Sequence, residues 1–197
     1  MKSIIILCGG RSRRMGKDKG SLILNDKPMI LHVLDKVKDV ADEVIVVLRD
    51  HKQVEKYKTI LKDEDVSLKI VTDEIKDLGP LIGILTGLSK ITSEYAQVLP
   101  CDSPFISKEF VLKMFDIAED KEFDAVVPIW DDGHIEPLHS LYKKDIVNII
   151  KNLIKEEKLD VKSLITDLNV EYIDVGKLDK TTMSFQNINT IKDFECY

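Results

Sequence analysis

Cysteine is scarce. Cys8, Cys101 and Cys196 form an odd set without close pairing, which excludes a disulfide framework and the clustered thiols of zinc or redox motifs. No apolar run approaches the roughly 18 residues of a membrane span, and the run from Ile4 to Cys8 is too short for a signal-peptide core. A soluble, cytoplasmic protein without a membrane partner is expected. Positive charge is not in excess either: 29 Lys+Arg stand against 35 Asp+Glu, a formal net charge of -6. That balance argues against nucleic acid as a partner and requires any phosphate binding to be local. Pro- or Gly-rich linkers, low-complexity tracts and internal repeats are missing too, so residues 1–197 read as a single domain.

What is present is enough apolar material, 44% of the chain, for a sizeable core. Short β-branched runs predict strands at Ser3 to Leu7, Val44 to Leu48, Leu68 to Val71, Ala96 to Leu99, Ala125 to Ile129 and Val170 to Val175. Between them, apolar residues spaced by three and four predict helices over Met29 to Val40, His51 to Glu64, Leu81 to Ile91, Ser107 to Asp120 and Lys144 to Glu156. This alternation predicts an α/β fold with a mostly parallel central sheet, helices covering its faces and ligands at the carboxyl ends of the strands. Asp131-Asp132-Gly133 predicts a turn before a hairpin ending at Tyr142, and Pro137 argues for an edge position there.

The segment Leu7 to Lys19, directly after the first strand, holds five cations and one anion in a chain that is acidic overall. Gly9 and Gly10 let backbone N–H groups approach a ligand, while Lys and Arg neutralise a polyphosphate, so a nucleoside triphosphate is the natural guest. A basic surface turn is the competing reading. Five residues separate Gly10 from Gly16 and Asp18 stands where a magnesium-binding Ser or Thr belongs, so this is not a Walker loop; no G-x-G-x-x-G follows either.

Two carboxylates fall on the same rim. Asp102, between Pro100 and Pro104, is a candidate magnesium ligand, since magnesium in nucleotide sites takes one or two carboxylates plus phosphates and waters; an Asx turn capping the helix from Ser107 is its alternative role. Asp73 is placed to hydrogen-bond a base or ribose, or to form a turn, and Gly79-Pro80-Leu81 then opens a helix. The four histidines have no metal-ligand spacing and read as structural, with His139 the one placed to lie near a second substrate. Cys8 and Cys101 abut the site and read as small-residue packing.

The string Leu7-x-Gly9-Gly10-x-Ser12-x-Arg14-Met15-Gly16-x-Asp18-Lys19, followed in order by Asp73, Gly79-Pro80-Leu81, Pro100-Cys101-Asp102-x-Pro104, Pro137-Leu138-x-x-Leu141-Tyr142 and Asn187-Ile188-Asn189-Thr190, resembles the molybdenum cofactor guanylyltransferases. The resemblance runs from Ile4 to about Phe194. It implies a Rossmann-like nucleotidyltransferase fold and a magnesium-dependent enzyme that joins GMP from GTP to the terminal phosphate of molybdopterin, releasing pyrophosphate. It further implies that Leu7, Cys8, Gly9 and Gly10 line the guanine nucleotide, that Lys19 meets the triphosphate, that Asp73 holds the nucleoside and that Asp102 binds magnesium. Lys19 together with Arg14, or its neighbours Arg11 and Arg13, would stabilise the departing pyrophosphate, and Asn187 and Asn189 would face the pterin. Transient contacts with cofactor-insertion proteins and with molybdoenzymes or tungstoenzymes are part of the same expectation. Three positions depart from the family pattern: Cys8 replaces Ala, Arg49 stands where relatives carry a nucleotide-touching Asn, and Ile191 replaces Pro. The Gly9-Gly10 pair favours guanine over cytosine by analogy. Cytidylyl transfer to the same cofactor, guanylyl transfer to another phosphorylated acceptor and a non-catalytic GTP-binding module are the alternatives.

Overall fold

The computed structural model describes residues 1–9, 18–64, 66–73, 79–119, 122–188 and 193; Gly10, Arg11, Arg13, Arg14, Asn189 and Ile191, all named above, lie outside them. In chain order the elements are β1 (Ser3–Leu7), β2 (Ile23–Leu24), β3 (Lys27–Pro28), α1 (Met29–Val37), β4 (Glu43–Leu48), α2 (His51–Ile60), β5 (Leu68–Thr72), α3 (Pro80–Leu88) and β6 (Tyr95–Pro100). There follow α4 (Lys108–Glu119), β7 (Ala125–Ile129), β8 (Leu141–Lys143), α5 (Val147–Lys155), α6 (Val161–Thr166), β9 (Val170–Asp174) and α7 (Val175–Leu178). The small β2–β3 hairpin turns through Asn25 and Asp26, both in the left-handed region at φ 46° and 62°.

Seven strands form one sheet in the order β5-β4-β1-β6-β8-β7-β9. β1 pairs in parallel with β4 and β6, β4 with β5, and β7 with β9, whereas β8 runs antiparallel to β6 and β7. Strand alternation divides the core. Ile4, Ile6, Val46 and Leu99 pack on one face under α1 and α4, while Ile5, Ile45, Val47 and Val98 pack on the other against α3 and α5. Both faces are therefore buried, as a parallel sheet requires.

The hairpin expectation needs one correction. The turn at Asp131–Gly133 is present, closed by Gly133 N–H on Trp130 O at 2.9 Å, but β8 lies inside the sheet rather than at its edge. Pro137 is compatible with that place because it sits outside the strand, opening the 3-10 turn Pro137–His139 that precedes β8. α6, α7 and the β2–β3 hairpin have no counterpart in the sequence pattern, and Val175 opens α7 instead of ending β9.

At the amino-terminal rim of the sheet the carboxylate of Glu43 is 3% exposed. Its Oε1 accepts from Ser3 Oγ at 2.6 Å and from Thr92 N–H at 2.5 Å, and its Oε2 accepts from Lys69 Nζ at 3.0 Å. Burial pushes this carboxyl up, but the hydrogen bonds together outweigh it and hold the pKa at about 2. The start of β1, the start of β4, the middle of β5 and the segment before β6 are thus fastened to one side chain. The opposite, carboxyl rim has no such fastener among the described residues, and Leu7, Cys8, Gly9, Asp73 and Asp102 lie there.

Candidate active site

Three consecutive ladder bonds run past the strand ends at the carboxyl rim. Cys8 N–H donates to Val47 O at 2.8 Å, Cys101 N–H to Leu7 O at 3.1 Å and Asp73 N–H to Leu48 O at 2.9 Å. The sheet itself therefore holds Leu7 and Cys8, and Gly9 is the first residue beyond these bonds. A Cβ placed on Gly9 would stand 3.3 Å from Asp73 Oδ2 and 3.7 Å from Arg49 N, so Gly9, Arg49 and Asp73 meet at one point of the rim. Arg49 donates its Nε to Asp50 at 3.2 Å and its backbone N–H to Gln53 at 2.9 Å.

Asp73 Oδ1 is buried and has no hydrogen-bond partner among the described residues. Burial raises this carboxyl to a pKa of about 6, an effect only partly offset by the Thr86 hydroxyl. An acceptor shielded from water and left unfilled is costly unless something donates to it.

On the other side of β1, Lys19 Nζ lies 2.7 Å from Asp102 Oδ2, with the two side chains 18% and 16% exposed. The returning end of the loop is thus aimed at the carboxylate after β6, across 83 residues of sequence. Two neighbours of Lys19 are fixed by α2. Tyr57, fully buried, donates its hydroxyl to Asp18 Oδ1 at 2.8 Å, and a Cβ on Gly20 would lie 2.4 Å from that hydroxyl and 3.1 Å from Cys101 Sγ. Only glycine fits there without displacing the ring. Burial, with Cys8, Cys101 and Asp18 nearby, pushes the Tyr57 phenol far up, so it acts as a hydrogen-bond donor. Cys8 and Cys101 are buried free thiols, and the hydrogen bond of the Cys101 thiol with Cys8, followed by burial, raises Cys101 well above its usual value.

Asp102 does not cap α4. That role belongs to Ser107, whose Oγ accepts from Phe110 N–H at 3.1 Å. Asp102 is instead held from behind by the C-terminal segment, its backbone oxygen accepting from Ile188 N–H at 2.8 Å, while Ser103 Oγ donates to Asn187 Oδ1. Asn187 and Asp102 are thereby brought together as expected sites on one loop pair. His32 is structural, Nε2 meeting Leu24 O at 2.7 Å, but His139 is bonded to Ser103 at 3.0 Å and is part of this assembly. Tyr57, Gly20 and Ser103 carried no role in the sequence pattern, and the bonds that His139 and Ile188 make to the Asp102 loop were not foreseen. The Pro137-Leu138 string and the Asn187-Ile188 string did mark their neighbourhood.

Among the described residues no group of three or more His, Cys, Asp or Glu side chains is arranged to hold a metal ion, and no helix is long and apolar enough to cross a membrane. The donor set suits a divalent cation of another kind. Asp102 offers a hard carboxylate oxygen beside a basic loop, and a nucleotide's phosphates and water supply the remaining ligands.

A mostly parallel sheet whose first loop aims a lysine at a carboxylate on the carboxyl rim defines an α/β nucleotidyltransferase. The chain belongs to the MobA-like NTP transferase family, whose model matches residues 4–171. A probable molybdenum cofactor guanylyltransferase of Methanothermobacter thermautotrophicus is 40% identical over 195 residues, covering 98% of this chain and 97% of that protein. A protein of the same name from Methanocaldococcus jannaschii is 35% identical, covering 96% and 94%. The crystal structure of molybdopterin-guanine dinucleotide biosynthesis protein A from Archaeoglobus fulgidus superposes with a TM-score of 0.83 at 29% identity, covering 100% of this chain and 96% of that one.

Proposed function

We propose that this protein transfers a guanylyl group from GTP to the terminal phosphate of molybdopterin and releases pyrophosphate. The observation that carries the reading is the Lys19–Asp102 pair, a phosphate-binding cation and a cation-binding carboxylate in contact on the ligand rim. An oxygen of the acceptor phosphate forms the new bond to the α-phosphorus of GTP as the bond from that phosphorus to the bridging oxygen of the β-phosphate breaks. The attacking phosphate is already ionised near neutral pH, so no protein base is needed, and the chain contributes position and charge neutralisation.

Lys19 leaves the Asp102 carboxylate for the triphosphate, exchanging one anion for another, and then stabilises the departing pyrophosphate, a role that Arg14 shares. Asp102 is the residue that would hold magnesium, which when bound neutralises charge on the reacting phosphates. Asp73 accepts from the base: guanine presents a ring N–H and an amino group side by side, and this buried carboxylate has an oxygen without a partner among the described residues. Gly9 and Gly10 bring backbone to the nucleotide, and Asn187 and Asn189 face the pterin. The same reading places the reaction in the cytoplasm, with hand-over of the product to insertion proteins and molybdoenzymes or tungstoenzymes.

The test is incubation with α-labelled GTP, magnesium and molybdopterin. Label is expected in a pterin dinucleotide, with pyrophosphate released from GTP in strong preference to CTP or ATP, and Asp102→Asn is expected to abolish both. Preference for CTP would make the protein a cytidylyltransferase, and tight GTP binding without turnover would make it a regulatory module.

A further inference from the structure

The C-terminal segment and the Asp102 loop are joined by more than proximity. Ile188 N–H bonds Asp102 O, and the next residue of the loop, Ser103, bonds Asn187 through its hydroxyl. A third partner reaches the same hydroxyl from the 3-10 turn before β8: His139 Nε2 lies 3.0 Å from Ser103 Oγ. A serine hydroxyl has one proton, and here it is directed at Asn187 Oδ1. The contact with His139 must therefore be donated by the ring, which places a hydrogen on Nε2.

The ring is itself fixed. Its Nδ1 faces Glu136 Oε2 at 3.4 Å, Glu136 Oε1 accepts from Trp130 Nε1 at 2.9 Å, and Phe185 meets the imidazole edge-on at 5.4 Å between centroids. His139 is 1% exposed and Ser103 fully buried, so neither can touch a substrate, and an acid–base or nucleophilic role is excluded by access. Nδ1 makes no hydrogen bond among the described residues, but a ring present only to fill space would not need the bond that Nε2 makes to a buried serine.

We propose that His139 is a positioning residue that locks the Asp102 loop to the segment carrying Asn187, so that the carboxylate serving the nucleotide and the side chain facing the acceptor keep one fixed separation. The consequence for catalysis rests on the guanylyl-transfer reading; the lock itself does not. With the lock intact, the acceptor phosphate is presented in line with the α-phosphorus. Without it, each substrate still binds but the two are misaligned, which lowers turnover more than affinity.

The experiment compares wild type with His139→Ala, His139→Gln, Ser103→Ala and the Ser103→Ala/His139→Ala double variant. Two readouts are taken: amide hydrogen exchange at Ile188 and steady-state guanylyl transfer. His139→Ala should speed exchange at Ile188 by roughly tenfold, the equivalent of one hydrogen bond, and lower kcat by roughly 10–100-fold with KM for GTP within about twofold. His139→Gln, whose amide N–H can reach Ser103, should recover most of both, and His139→Ala should add nothing once Ser103 is Ala. Unchanged exchange at Ile188, equal loss in the Gln and Ala variants at matched Tm, or additive effects in the double variant would overturn the proposal. If His139→Ala does not fold, Ser103→Ala removes the same link with a smaller change and must give the same two effects. If wild type transfers no GMP, the functional reading fails while exchange at Ile188 still decides the lock.

Discussion

Burial raises the Asp73 carboxyl to a pKa of about 6, and its Oδ1 has no hydrogen-bond partner among the described residues. On the proposed reading, above that value the group is a carboxylate that would accept from guanine's donors; below it, a proton occupies the acceptor. GTP affinity should therefore fall as pH drops through about 6, by roughly tenfold for each further unit. Calorimetric titration with GTP between pH 5 and 8 checks this. The phosphates of GTP titrate nearby, so the part due to Asp73 is the part that disappears in Asp73→Asn. A wild-type profile superimposable on that of the variant would remove Asp73 from base recognition.

At the scale of elements, α2 and the returning loop form a unit around Lys19. Tyr57→Phe keeps the ring and deletes the bond to Asp18, which should raise KM for GTP several-fold with the pocket otherwise intact. Gly20→Ala forces a methyl group into Tyr57 and Cys101 and should cost more, ~1–3 kcal/mol of stability in addition to affinity. Denaturant unfolding and nucleotide titration of the two variants separate these outcomes. The main strands and helices were legible in the sequence because both sheet faces are buried and each long helix has a regular apolar stripe. β2 and β3, at two residues each, and α6, at six, are too short to show a period. The rim positions of Asp73 and Asp102 were legible because each follows a strand end, and Lys19 because it closes the basic stretch after the first strand. Tyr57 was not, since its bond to Asp18 spans 39 residues, and His139 and Asn187 reach Ser103 across 36 and 84. Pairings of that kind are set by topology, and local pattern carries no trace of them.

For the molecule as a whole, a carboxylate hydrogen-bonded across several strands lies at the rim away from Asp73 and Asp102. Glu43 has its pKa held at about 2, against 4.5 for a free carboxyl. A depressed value means that its contribution is complete above pH 4.5 and is lost as pH falls toward 2. Acid unfolding should show this loss, worth up to ~3 kcal/mol, and Glu43→Gln should remove it along with much of the protein's stability at neutral pH. The interior also holds an opposite case. Gln97, fully buried in β6 on the same face as Leu99, has neither amide atom bonded among the described residues. Gln97→Leu should stabilise by ~1–3 kcal/mol, visible as a rise of a few degrees in Tm. A lower Tm would mean that the amide has partners worth more than its burial costs.

The clamp around Glu43 ties the strands together at the end of the sheet remote from Gly9, Asp73 and Asp102, so changes at those three residues leave its hydrogen bonds in place. On the proposed reading, evolution can revise nucleotide preference at Gly9 or Asp73 without touching that clamp. The same separation lets an engineer retarget this enzyme by changing one edge of it.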